Sequence, residues 1–195
     1  MQLPNRKKIE KDFHDRMELL SKRHRRELRQ LMGTPVDPSL VPEEFWRRVE
    51  REAESETAAI LLLLFGVGAR TAARSVGGDY KENETAILSQ ADTYGTQRSR
   101  KVGADYARGA RDSFARRSAE WTKQTPEPKP PTRAEIDQGL DRVFHEPLTK
   151  RIVVDETTAA QFNGGEAGVR ETVGISQNDR WRTRPLWSCS HPNQW

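Results

Sequence analysis

Few residues in this 195-residue chain have the types and the spacing that metal binding requires. The four histidines are His14, His24, His145 and His191, and they share no metal-ligand spacing and form no H-E-x-x-H sequence. Cys189 is the only cysteine, which excludes an intramolecular disulfide framework and a thiolate-rich zinc site. Cys189 and His191 are weak candidates for two metal ligands, because no further ligands lie near them. We therefore predict that the protein has no metal and no cofactor.

Carboxylates recur at helical spacing, but without the surroundings that acid–base catalysis needs. Glu50 and Glu54, like Glu52 and Glu56, lie four residues apart and share one face of a predicted helix. A catalytic pair needs one carboxylate desolvated in a cleft, whereas these lie among arginines, so we expect a solvated, ion-paired surface. The chain has no G-x-S-x-G, G-x-x-x-x-G-K-[ST] or G-x-G-x-x-G sequence. The sequence therefore predicts a protein that is not an enzyme, and catalysis is only a third hypothesis.

Basic residues are the second group whose chemistry could be functional. Lys and Arg number 33 against 29 Asp and Glu, and the net charge of +4 suits a nucleic acid or an acidic protein without identifying either. Seven basic side chains are candidates for contacts with phosphates: Lys22, Arg23, Arg25, Arg26, Arg29, Arg108 and Arg111. A solvated charged surface is the alternative interpretation, and no helix-turn-helix or zinc-finger sequence indicates base reading. Non-specific binding of nucleic acid by a helical protein is the alternative hypothesis of function.

Helical periodicity positions these residues. A stripe at spacings of 4, 4, 3, 4, 4 and 3 predicts a long basic amphipathic helix over residues 5–32: Ile9, Phe13, Met17, Leu20, His24, Leu28 and Leu31. A second helix is predicted after Pro42, and its residues 58–69 are apolar on nearly all sides. These twelve residues fall short of the roughly 20 that cross a membrane. We therefore expect a central core helix and no membrane partner, with a membrane hairpin as the alternative.

A proline-rich segment at residues 125–131 predicts a stiff linker and a domain boundary. Residues 1–124 before it form the helical region, which ends in an Arg- and Ala-rich helix over residues 84–121. The glycines of that helix need a packing reason or else break it. With 34% apolar residues the chain is not expected to form one compact globule with a thick core. The predicted fold class is mainly α, an elongated helical N-terminal region with a small α+β C-terminal module over residues 132–195.

Helices and short strands are both expected in that C-terminal module. The sequence T-R-A-E at residues 132–135 is typical of a capping box that begins a short helix. Residues 148–174 predict a further helix, or two helices joined at residues 163–165. Short strands are considered at residues 151–157 and 173–183. Trp181 is expected to pack the tail onto the helix that holds Thr157 and Phe162.

The C-terminal third also carries several short motifs in a particular order. They are D-E-T-T-A-A-Q-F-N-G-G at residues 155–165, G-I at 174–175, W-R-T at 181–183, the lone cysteine, and H-P-N at 191–193. In order and spacing they resemble the Mu F-like phage head morphogenesis (minor head protein) family, over about residues 133–195. That family shows a T-E-T-x-x-A-x-N-x-G helix, then W-x-T, C-x-x-C and H-P-N-C. Here Asp155 replaces the first Thr, Cys189 stands alone, and Gln194 follows H-P-N, so no zinc or thiol role is carried over.

The resemblance implies a component of the virion or prohead, assembled in several copies at or near the portal vertex. It implies portal or capsid protein as the partner, DNA contact in some members, and the host cytoplasm as the location during assembly. The residues that match the family motifs are expected to be structural: Glu156, Thr157, Asn163, Gly164, Trp181, Thr183, Cys189, His191, Pro192 and Asn193.

Overall fold

Five α-helices make up the described part of the chain in a computed structural model, which describes residues 6–33, 37–78, 80–122, 132–144 and 146–174. They are α1 (Arg6–Leu31), α2 (Glu43–Ser75), α3 (Glu84–Thr122), α4 (Arg133–Val143) and α5 (Glu146–Val173). Short 3-10 turns at Pro38–Leu40 and Tyr80–Asn83 precede α2 and α3. These residues contain no strand, so the predicted mainly α fold is confirmed.

The predicted α+β character of the C-terminal module is not supported by the described residues of that module. Residues 151–157 are not a strand but part of α5, which continues without a joint through residues 163–165. The β-branched run of Ile152, Val153 and Val154 favours a strand locally. A helix forms there instead because it satisfies its own backbone groups, whereas no other described strand could pair with this segment. The linker at residues 125–131 and the tail beyond residue 174 lie outside the described residues.

Ion pairs along α1 show the directions of three helices. Arg16 and Arg23 of α1 meet Glu56 and Glu52 of α2, at 3.7 and 2.6 Å, so these two helices are antiparallel. Arg25 and Arg29 of α1 pair in the same way with Asp141 and Asp137 of α4. Helices α2 and α4 therefore both run opposite to α1.

Glycines show how α3 lies against α2. Gly95 and Gly103 of α3 face Leu62 and Glu50 of α2, which makes α3 antiparallel to α2. A Cβ atom at Gly103 would lie 2.6 Å from the Glu50 carbonyl oxygen. Gly103 thus has the packing reason that the sequence required, and α3 is unbroken over 39 residues.

The main core lies between α1, α2, α3 and the two C-terminal helices. The α1 stripe points into it as predicted, since Phe13, Met17, Leu20 and Leu28 are buried while Ile9 is partly buried. Side chains of α4 and α5 belong to the same cluster as those of α1 and α2. Burial of this one stripe stabilises α1, because an isolated helix gains little from propensity alone.

Helix α2 is central and apolar, as the sequence predicts. Its apolar stretch is long enough, by length and composition, to cross a membrane, and half of that stretch is buried inside the bundle. The core helix of a soluble protein meets the same criterion. Leu61, Leu64 and Ala69 are fully buried against neighbouring helices.

Candidate functional site

The residues of the family-like motif lie on α5 at its contact with α3 and α2. Glu156 is almost completely buried and accepts two hydrogen bonds from Arg98 of α3. The Arg98 Nε donates to Oε2 at 2.5 Å and Nη2 donates to Oε1 at 2.8 Å, a bidentate arrangement. The bond to the Glu156 carboxylate raises the pKa of Arg98. This ion pair fixes the register of α5 on α3.

Tyr94 and Asn163 continue this polar contact on the same side of α5. Tyr94 precedes Arg98 by one helical turn, and its hydroxyl faces Asn163 without a hydrogen bond of ordinary geometry. Burial and the Glu156 carboxylate raise the pKa of Tyr94, so its hydroxyl stays protonated. Asn163 instead donates to the carbonyl oxygen of Ala159 at 2.7 Å. We call Tyr94, Arg98, Glu156 and Asn163 the α3–α5 polar seam.

On the neighbouring side of α5, the motif packs directly against the α2 backbone. Thr157 is completely buried, and its hydroxyl has no hydrogen-bond partner among the described residues. A Cβ atom at Gly164 would overlap the Phe65 carbonyl group of α2, and one at Gly168 would overlap that of Ala69. Spacing of small residues by four is typical of helices whose backbones touch. Gly164 is among the residues predicted from the sequence and Gly168 is not, although the G-x-x-x-G spacing of the two is visible there.

The two partners of the motif on α3 are likewise not among the residues predicted from the sequence. Tyr94 and Arg98 are four residues apart and therefore share one face of α3. Nothing in the sequence links Arg98 to Glu156, because 58 residues separate them. Trp181, Thr183, Cys189, His191, Pro192 and Asn193 lie outside the described residues, so their predicted structural role stays a prediction.

A second buried polar group, His24, lies on the opposite half of the bundle. Its Nε2 lies 2.7 Å from Oε2 of Glu52, and its Nδ1 has no hydrogen-bond partner among the described residues. The rings of Phe45, Tyr106 and Phe144 surround it at centroid distances of 6.3, 6.0 and 5.7 Å. Burial lowers the pKa of His24, against the opposing effect of Glu52, and keeps the imidazole neutral. His24 is a packing residue that joins α1 to three other helices.

Most of the candidate phosphate contacts are already paired with carboxylates. Six of the seven form ion pairs: Lys22 with Glu18, Arg23 with Glu52, Arg25 with Asp141, Arg29 with Asp137, Arg108 with Asp105, and Arg111 with Glu43. Arg26 is exposed and has no such pair within the described ranges. The positive charge of these six candidates is thus largely compensated by neighbouring carboxylates, which weakens their attraction for phosphates.

Three of the four carboxylates first considered for catalysis, Glu52, Glu54 and Glu56, are ion-paired as expected. Glu54 pairs with Arg100 at 3.5 Å, and Glu56 pairs with Arg16 at 3.7 Å. On the α1 surface, donor atoms of His14, Asp15 and Glu18 lie within 4.8 Å of one another. The Lys22 Nζ already lies 2.6 Å from Oε1 of Glu18, so a metal ion at this place would have to displace Lys22.

A small open pocket lies between α3 and α4, beside Trp121 and Gly139. Its volume is about 180 Å³, below the roughly 300–1,000 Å³ of ordinary ligand sites. No nucleophile and base lie paired in its lining, which is Arg117, Glu120, Trp121, Glu135, Gln138, Gly139 and Arg142. The described residues therefore offer packing contacts and ion pairs as their candidate functional features. No family model, curated protein or solved structure matches this chain.

Proposed function

We propose that the protein is a structural assembly protein of a phage head, a minor head protein associated with the portal vertex. One structural observation supports this proposal in addition to the resemblance. Glu156, Thr157, Asn163 and Gly164, the motif residues within the described ranges, all lie where α5 contacts α3 or α2. A motif used for helix packing suits a structural family and gives no support to a catalytic one.

A non-catalytic role in assembly agrees with the chemistry of the described residues. Among the described residues, the buried Glu156 carboxylate is held in an ion pair, and no buried polar residue lines the small pocket between α3 and α4. Such groups specify how helices fit together, since a buried charge is stable only beside its partner. The partner we propose is portal or capsid protein, bound by several copies of this chain.

The direct test asks whether the protein is part of assembled particles. Proheads and virions of the phage or prophage that encodes it are purified, and the chain is quantified by mass spectrometry beside the portal protein. A tagged portal protein is captured in parallel from the same cells. We expect the chain in the particles and in the capture. Its absence from both would refute the proposal.

Contact with DNA is a separate part of the proposal and has its own measurement. If the protein contacts Z phosphates, log K falls with log salt at a slope of about −0.9Z on duplex DNA. Arg26 is exposed without a carboxylate partner among the described residues, so Arg26→Gln should lower that slope by about 1. Arg29→Gln is the matched control, because Asp137 already neutralises Arg29 at 2.8 Å. No duplex binding at about 50 mM salt would remove nucleic-acid binding from the proposal.

A further inference from the structure

An apolar stripe on α5 continues beyond the point where α1 begins. Thr158, Phe162, Val169 and Val173 follow one another at spacings of 4, 7 and 4, so they share one face of α5. Arg6, the first residue of α1, donates from Nη2 to the Thr158 hydroxyl at 3.1 Å. The described part of α1 thus begins beside Thr158. Phe162, Val169 and Val173 lie farther along α5, beyond the first residue of α1.

These three residues form the surface that we call the α5 stripe: Phe162, Val169 and Val173. Phe162 is 59% exposed and Val173 is 47% exposed, while Val169 is partly buried. A single exposed apolar residue is ordinary. Here an aromatic ring and two valines are aligned on one helix face beside the Glu166–Arg170 ion pair, and such an amphipathic surface can be covered by another segment.

Gly174 ends α5 in a conformation that turns the chain away from the helix axis. Its φ is +66°, the left-handed conformation in which many helices end. An apolar residue directly after such a glycine often packs back onto the last helical turn, and Ile175 occupies that place in the sequence. Twenty-one residues follow Gly174, and three of them are tryptophans: Trp181, Trp187 and Trp195.

The distances select Trp181 as the residue that can cover Phe162. Phe162 lies twelve residues before Gly174, which corresponds to about 18 Å along α5 at roughly 1.5 Å per residue. Trp181 lies seven residues after Gly174, and an extended chain of that length spans about 23 Å at roughly 3.3 Å per residue. A tail that ran back along α5 would therefore be long enough for Trp181 to reach Phe162.

We propose that residues 175–195 turn back at Gly174 and dock on the α5 stripe of the same chain, with Trp181 packed against Phe162. Aromatic pairs of this kind gain more than the burial of their area alone. Burial of one such large side chain favours the docked state by about ten- to a hundredfold. This inference does not depend on the proposed role in phage heads.

Trypsin cleavage after Arg180 and Arg182 tests the docking, because these two bonds flank Trp181. Cleavage of a transiently open segment follows the population of its open form. The cleavage rate is measured by mass spectrometry in the full chain and in a synthetic peptide of residues 175–195. We expect the full chain to be cleaved there at least about tenfold more slowly than the peptide.

Matched surface variants show whether the stripe is responsible. Phe162→Ser should raise the cleavage rate close to that of the peptide, and Trp181→Ala should do the same. Leu19→Ser is the control, because Leu19 is 71% exposed on α1 and lies outside the stripe. Val173→Ser is a second stripe variant, should Phe162→Ser lose helix content by circular dichroism.

Three results would overturn the proposal. Equal rates in the full chain and the peptide would mean that the tail is not docked. Protection that survives both Phe162→Ser and Val173→Ser would place the tail elsewhere and leave the stripe to another segment, such as residues 1–5. Protection that rises with protein concentration would show that the stripe binds a second copy.

Discussion

Removing Arg98 should lower the stability of the fold substantially, because Arg98 is the cation that pairs with the buried Glu156 carboxylate. The side chain of Glu156 is 8% exposed and accepts both of its described hydrogen bonds from Arg98. Breaking a buried pair on one side costs about 3–5 kcal/mol, since the remaining charge is left uncompensated. Arg98 itself is 32% exposed, so water can reach part of the vacated space. We therefore expect Arg98→Met to lower the free energy of unfolding by about 2–3 kcal/mol.

The assay is urea denaturation of the full chain, followed by circular dichroism at helical wavelengths. A loss of that size lowers the Tm by about 4–12 °C in a protein of this length. The control is Arg108→Met on the same helix as Arg98, which removes an i, i+3 partner of the exposed Asp105 and should cost less than about 0.5 kcal/mol, because Arg108 is 70% exposed.

A double variant separates the buried charge from the general loss of packing. Replacing both partners by apolar groups removes the uncompensated carboxylate, so Arg98→Met with Glu156→Leu should recover most of the lost stability. The prediction is refuted if Arg98→Met costs no more than Arg108→Met. It is also refuted if the double variant is no more stable than Arg98→Met alone.

Three further predictions address the other helix contacts. Gly168→Ala should lower the free energy of unfolding by about 1–3 kcal/mol in urea denaturation, because its Cβ would overlap the α2 backbone. Gly66→Ala is the control: its Cβ would meet open space, so it should raise the free energy of unfolding by up to about 1 kcal/mol. Equal effects of the two variants would contradict the close packing. Leu20→Asp should cost at least about 3 kcal/mol by burying a carboxylate, and Arg26→Glu on the exposed side should leave the helix content unchanged. Burial lowers the pKa of His24, so the unfolded chain binds the extra proton, and stability should fall as the pH drops below about 6.5, by at most about 1.4 kcal/mol per pH unit. His24→Gln should remove that dependence, and an unchanged slope between pH 7.5 and 5.5, each about a unit from the free imidazole value, would contradict it.

Local patterns in the sequence were sufficient to predict the helices. The α1 stripe, the capping box at Thr132 and the apolar run in α2 each depend on neighbours within a few turns, which the sequence displays directly. Residues 151–157 show the limit of such patterns. Their β-branched run indicates a strand, but the choice of helix depends on what lies beside the segment.

The fate of the glycines in α3 required the tertiary structure. Glycine costs about 1 kcal/mol in a helix relative to alanine, so the sequence left open whether α3 breaks. The approach of Gly103 to the Glu50 carbonyl group shows what offsets that cost. A close backbone contact between two helices has no signature in either helix alone.

The site residues divide in the same way. The motif on α5 could be read from the sequence as Glu156, Thr157, Asn163 and Gly164, whereas its cation, Arg98, is chosen by the antiparallel register of α3 and α5. The count of basic residues, and hence the net charge of +4, is likewise a property of the sequence. The sequence does not show whether those charges are available to a partner, because pairs such as Arg29 with Asp137 join two helices that are distant in the chain. Electrostatic pairing depends on distance in space, and only the packing of the helices sets that distance.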